Sequence, residues 1–259
     1  MSRELFWAHK DSLAAQGVKG FSAFSLPHLL WLLFCLAVVA LFVVIYRRSG
    51  DQRRDNLRKG IALFLILFEF FKLCVITLTG APIASYLPLH ICSFALFSIL
   101  IDALWPQNRF FKQLMAFMFL PAAAIALLFP TVTGYPPLSF YPIHQFLVHS
   151  AIAAYIIAEY ASGGIRPRYA GAWLSLLVTA LLAALIYPIN NAFGTNYLFL
   201  ARHSNNPALK LIWGVTGETG GIPYLLGLAV LITVVMHVMF AVYAILNGKS
   251  SKTNRRNKQ

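Results

Sequence analysis

The chain has 259 residues, of which 59% are hydrophobic and only 11% charged, with a formal net charge of +13. A water-soluble domain carries roughly a quarter charged residues, so this composition excludes an ordinary soluble fold and points to an integral membrane protein. The positive charge does not mark a nucleic-acid binder, because the basic residues fall in short segments between apolar runs, as membrane topology requires.

Residues 1–25 carry Arg3, Glu4, Lys10, Asp11 and Lys19 with no apolar core. They read as an N-terminal interfacial arm anchored by Phe6 and Trp7, not as a cleaved signal peptide. Seven apolar runs follow, at 26–46, 60–79, 88–104, 110–129, 142–160, 170–187 and 222–246. A spanning helix needs about 20 such residues, and two of these runs sit near the lower limit. The expected fold is therefore all-α, with a seven-helix transmembrane domain over 26–246 and a basic, disordered tail over 247–259. Pro27, Pro88, Pro142 and Pro223 stand near the heads of their runs, where a proline has no helical N–H to lose. No internal repeat of the kind many transporters carry stands out.

Orientation follows from Lys and Arg. The segments 47–59, 105–112 and 161–169 and the tail hold fifteen, whereas the arm and the segments 80–87, 130–141 and 188–221 hold five. The bias predicts an outer N-terminus and a cytoplasmic C-terminus. The long connection 188–221 is then an outer loop, and its Tyr197, Phe199 and Trp213 suggest a segment packed on the bundle.

On this topology polar groups gather at one end. His28, His90, His144 and His149 open spans one, three and five from outside. His203 lies in the long loop, and Asn190, Asn191 and Asn196 stand at the end of span six. Polar groups at membrane depth face a bundle interior or a water-filled cavity, so a cavity open to the outer leaflet is expected. Gln145 and His149 are four apart and share a helix face, which suits glutamine as the partner that sets the imidazole tautomer. His144 points elsewhere. Glu69 and Lys72, three apart in span two, can pair; the pair is either a structural lock or part of a functional path. Asp102 and Glu159 lie near the ends of their spans and call for no special role.

The stretch LPLHICS, 87–93, offers a reactive group. With Pro88 in the first turn, the amides that follow have no helical partners and would favour negative charge. A thiol there is activated, and the same amides could hold an oxyanion. Cys92 is then either a nucleophile or a buried, inert thiol, and Cys35 and Cys74 read as small buried hydrophobes. His90 is about 200° from Cys92 around a helix, so a base for Cys92 would come from another span, and His149 has the depth for it. No metal-ligand spacing such as HExxH occurs, and no cofactor is called for.

Four pieces carry a resemblance: LPLHICS at 87–93, IALLFP at 125–130, FYPIHQFLVHS at 140–150 and NNAFGTNYLFL at 190–200. With the seven apolar runs they resemble a bacterial multispan family called YwaF-like. That family is similar to the animal transmembrane protein 164, a phospholipid acyltransferase thought to use a cysteine and a histidine, and more distantly to the androgen-induced hydrolases. The resemblance implies a multi-pass protein of the bacterial cytoplasmic membrane that acts on phospholipid or another acyl lipid. It assigns His149 the family's histidine position. The residue before the first-motif histidine is Leu89, and the nearest thiol is Cys92.

The expected function is a lipid acyltransferase or hydrolase working from the outer side. His149, Cys92 and His90 would be catalytic, with Glu69, Lys72, His144, Gln145, Asn190, Asn191, Asn196 and Tyr197 lining the substrate site. The alternative is a proton-coupled transporter of a small polar solute that uses Glu69, Lys72 and the outer histidines. A non-catalytic assembly factor is a third class.

Overall fold

The computed structural model describes residues 3–256 apart from 205 and 219, with side chains for 4–247. Among the described residues there are helices and turns and no strand. The arm forms α1 (Arg3–Trp7) and α2 (Lys10–Ala15). The bundle follows as α3 (Leu26–Arg48), α4 (Asp51–Leu78) and α5 (Ile91–Leu104). Next come α6 (Arg109–Leu114), a π-helical stretch over Met115–Phe119 and α7 (Leu120–Leu128). Then α8 (Phe140–Ala161), α9 (Tyr169–Phe193), the short α10 (Pro207–Val215) and α11 (Ile222–Arg256) complete the chain.

Six of these helices are long and apolar enough to cross a bilayer: α3, α4, the continuous run Arg109–Leu128, α8, α9 and the Ile222–Asn247 part of α11. The protein is a multi-pass helical membrane protein. Helix α8 is its axis. Of its spanning stretch 78% is buried, against 11% for α3 and for α11, which present Leu33, Leu36, Val230 and Val234 outward. Helices α3, α4 and α7 pack directly on α8. The core groups Ala95, Ile99, Met115, Phe117, Ile152 and Ile156 at the centre.

Three elements differ from the sequence expectation, each for a physical reason. The expected span 88–104 is a helix of 14 residues that starts at Ile91, with His90 as its N-cap and LPLH running in as non-helical chain. The expected run 110–129 is interrupted by the π-helical stretch. Pro121 lacks an N–H and crowds the carbonyl four residues back, and a widened turn just before it relieves that crowding. Two carbonyls near the bulge find partners on other helices: Ser175 Oγ donates to Gln113 O at 3.4 Å, and Tyr243 Oη donates to Ala116 O at 3.1 Å. Helix α11 runs on to Arg256 through much of the tail expected to be disordered, since no proline follows Pro223 and helix extension costs little once a long helix exists.

The segments 47–59, 105–112 and 161–169, around the α3–α4, α5–α6 and α8–α9 turns, lie at one end of the bundle and hold ten Lys and Arg; this is the basic end. At the other, the histidine end, the loops interlock. Phe21 N donates to Thr133 O at 2.9 Å, and Trp31 Nε1 donates to Pro137 O at 2.8 Å. The arm docks there through Trp7 against Phe140, ring centroids 5.2 Å apart, and through His9, whose Nε2 lies 2.5 Å from Tyr86 Oη. Burial pushes the His9 imidazole below its ordinary value, against the pull of Asp11, whose Oδ2 lies 3.1 Å from Nδ1.

Candidate active site

The histidine end is built on a turn that the end of α9 holds in place. Gly194, with φ +63°, takes the left-handed conformation that caps α9. The chain then folds back over Asn190. The buried Asn190 side chain accepts from Tyr197 N at 2.8 Å and from Thr195 Oγ1 at 2.9 Å, and donates to Tyr197 O at 2.9 Å. Tyr197 in turn ties the loop before α5: its hydroxyl donates to Ala84 O and accepts from Leu87 N at 3.1 Å. His90 packs its ring against Tyr197 and Phe199, with centroids at 5.2 and 5.5 Å. Asn190 and Tyr197 therefore fix the chain that leads into LPLH at the head of α5. Asn190→Ala strands a buried N–H and a buried carbonyl of Tyr197 and costs about 2–4 kcal/mol. Thermal unfolding in detergent measures this, with the exposed Asn191→Ala within about 0.5 kcal/mol as control.

Behind that loop, three helices bring polar side chains into the bundle. From α4, Lys72 Nζ meets Glu69 Oε1 at 2.5 Å, and both residues are largely buried. From α8, His144 Nε2 lies 3.5 Å from Glu69 Oε2, close enough for charge interaction, yet it is buried without a hydrogen bond. One turn deeper, His149 Nδ1 donates to Gln145 O at 2.7 Å. A carbonyl only accepts, so Nδ1 holds the proton and Nε2 keeps a lone pair, which has no hydrogen-bond partner among the described residues. From α5 come His90 at the N-cap and Cys92 in the first turn, its thiol beside the backbone amides of Cys92 and Ser93. The Lys72 charge reaches His90, Cys92, His144 and His149 alike. Of these, Lys72, Glu69 and His144 are in direct contact. No three His, Cys, Asp or Glu side chains among the described residues are placed to hold a metal.

Other expected members stand apart. The Gln145 side chain does not orient His149. It donates to Ala126 O at 3.1 Å and accepts from Thr131 Oγ1 at 3.1 Å, pinning the end of α7 to α8, while its backbone carbonyl sets the tautomer. Asn196 closes its own loop by accepting from Ala201 N and Arg202 N and donating to Arg202 O. Asn191 is exposed. His28 is fully buried with both nitrogens used: Nδ1 accepts from Phe24 N at 2.8 Å and Nε2 donates to Leu127 O at 2.9 Å. His203 packs on Trp213 in the long loop.

At the basic end is a buried ion network that the sequence reading passed over. Lys112 Nζ sits 3.2 Å from Asp102 Oδ1 and 2.9 Å from Glu159 Oε2. Tyr155 Oη donates to Asp102 Oδ2 at 2.8 Å, and Tyr46 Oη donates to Glu159 Oε1. All five residues are buried, from four different helices. The signal was present in two acids and a lysine inside apolar runs, which at membrane depth require partners.

A family model described as the TMEM164 family matches residues 23–246. No curated protein and no solved structure matches the chain. The matched region covers the whole bundle from α3 into α11, with Glu69, Lys72, His90, Cys92, His144 and His149, and the chain belongs to the TMEM164 family.

Proposed function

We propose that the protein transfers or hydrolyses lipid acyl groups at its histidine end. The observation that carries this reading is His149, a buried imidazole with a fixed tautomer and a free Nε2, within reach of the same Lys72 charge as Cys92 in the first turn of α5. In the first step Cys92 Sγ attacks the ester carbonyl while Nε2 of His149 takes the thiol proton. The acyl C–O bond breaks, and the leaving lysolipid oxygen takes that proton from Nε2. In the second step Nε2 removes a proton from an acceptor hydroxyl or water, whose oxygen attacks the thioester. The thiolate leaves and regains the proton. The amides at the head of α5 would carry the oxyanion, since the first turn of a helix has N–H groups without helical partners. A cavity of about 540 Å³ lined by Lys10, Asn196 and Arg202 would receive an anionic headgroup.

The same reading makes α5 a seventh crossing, with the N-terminus outside and the C-terminus in the cytoplasm of a bacterial cell. Fourteen helical residues rise about 21 Å, and the bent, non-helical LPLH, with Leu89 N donating to Leu87 O at 2.7 Å, leads into them. A hydrocarbon core is about 30 Å thick, so the entry stretch and its flanks would cover the rest of that depth. Non-helical chain at that depth must be covered by protein, and Tyr197 and Phe199 supply the cover.

The test uses purified protein in mixed phospholipid. Intact-mass spectrometry is expected to find an acyl adduct on wild type and none on Cys92→Ala, with lipid remodelling lost. Remodelling that survives Cys92→Ala would remove the acyl-enzyme and leave His149 activating the acceptor directly. The buried Glu69–Lys72–His144 group favours one competing reading, a proton-coupled transporter. Glu69→Gln would then abolish solute uptake into vesicles while Cys92→Ala leaves it intact.

A further inference from the structure

At the opposite end of the bundle a cavity of about 430 Å³ opens between the α5–α6 turn, α6, the 163–168 loop and the start of α9. Four cations line it, Arg109, Lys112, Arg166 and Arg168, and none of the described lining residues is acidic. Lys112 is already neutralised from below by Asp102 and Glu159. The three arginines are not. The guanidiniums of Arg109 and Arg168 have no hydrogen-bond or ion-pair partner among the described residues. Arg166 spends only Nε, on Gly163 O at 3.3 Å.

The loop bearing two of these arginines is fixed to α6. Gln113 Nε2 donates to Arg166 O, and Gln113 Oε1 accepts from Arg168 N, each at 3.0 Å. Gly171 makes room for this clamp, because a Cβ there would run into Gln113 Oε1. The backbone that carries two of these guanidiniums is thus held in place and is not a floppy basic loop. Its depth is marked by exposed aromatics next to the lining residues in sequence: Trp105, Phe110, Tyr169 and Trp173. Exposed Trp and Tyr at the ends of apolar helices sit at headgroup level.

We propose that this cavity binds a phosphate-bearing anion, held by Arg109 on one wall and Arg166 and Arg168 on the other. Guanidinium forks match phosphate oxygens in pairs, and three converging arginines with no counter-acid favour a phosphate over a carboxylate or a neutral headgroup. The site lies at the other end of the bundle from His149 and does not depend on the chemistry proposed there.

The experiment uses the full-length protein in neutral phosphatidylcholine nanodiscs titrated with phosphatidylglycerol, with bound lipid counted by native mass spectrometry. The double variant Arg166→Gln, Arg168→Gln is expected to weaken binding at least about tenfold. Arg109→Gln, on the facing wall, weakens it several-fold alone. Arg47→Gln with Arg48→Gln removes two exposed charges at the same end outside the cavity and leaves binding unchanged. Equal weakening in the Arg47/Arg48 variant would mean diffuse surface charge and overturn the site. So would no weakening in the cavity variants. A second arm adds inorganic phosphate: full displacement of lipid assigns the site to a soluble phosphate compound, and no displacement assigns it to a lipid headgroup. A variant that unfolds in phosphatidylcholine alone is replaced by its Arg→Lys counterpart, which keeps the charge, loses the paired fork and is expected to lie between wild type and glutamine.

Discussion

If His149 is the general base of acyl transfer, His149→Ala is expected to lower lipid acyl turnover by about two to four orders of magnitude, the range seen when a positioned general base is removed. The fold survives. The imidazole makes one side-chain hydrogen bond, to a helical carbonyl that is satisfied within its own helix, so truncation leaves no stranded donor. His28→Ala gives the opposite pattern. Both His28 nitrogens are bonded, one bridging α3 to the end of α7, so its loss removes the partners of the Leu127 carbonyl and the Phe24 amide. Stability then falls while turnover per folded molecule holds. Lipidomics of proteoliposomes together with thermal unfolding separates the two. If His149→Ala retained full turnover, the imidazole would have no part in proton transfer and the acyl-transfer reading would fail with it.

The contrast between these histidines shows what the sequence could and could not say. Long apolar runs located the spanning helices because membrane depth forces backbone hydrogen bonds to close within each segment. Polar side chains inside those runs located Glu69, Lys72 and the histidines for the same reason. Sequence could not separate His149 from His28, since both open or follow a helix start and differ only in whether loops from other helices occupy their nitrogens. Nor could it place the start of α5. A proline suits a first helical turn, but here Pro88 lies in the non-helical entry and His90 caps the helix, because Tyr197, over a hundred residues away, holds Leu87 and Ala84. Gln145 was placed on the right face with the wrong role. The carbonyl of residue i−4 lies nearer to an imidazole than the side chain of i−4 does, and Ala126 and Thr131 claimed that side chain first.

The same long-range pairing gives the largest expected stability effect, at Lys112. Lys112→Met leaves Asp102 and Glu159 buried with no countercharge in the group they share. Breaking a buried ion pair by removing one partner costs about 3–5 kcal/mol. For a chain of this size that corresponds to a midpoint lower by roughly 6–20 °C. The tyrosines sharpen the argument. Tyr155 and Tyr46 donate to the two carboxylates and have no other use for those protons, so they stay committed to the acids when the lysine goes. Adding Asp102→Asn and Glu159→Gln to Lys112→Met removes both charges and keeps oxygens that accept from the same hydroxyls. Most of the lost stability should then return, because a neutral hydrogen-bonded group is far cheaper to bury than an unpaired ion. Thermal unfolding of the wild type, the single and the triple variants measures this directly. A single variant within about 0.5 kcal/mol of wild type would mean that water reaches the carboxylates, and the network would not be the lock that ties α3, α5 and α8 to α6.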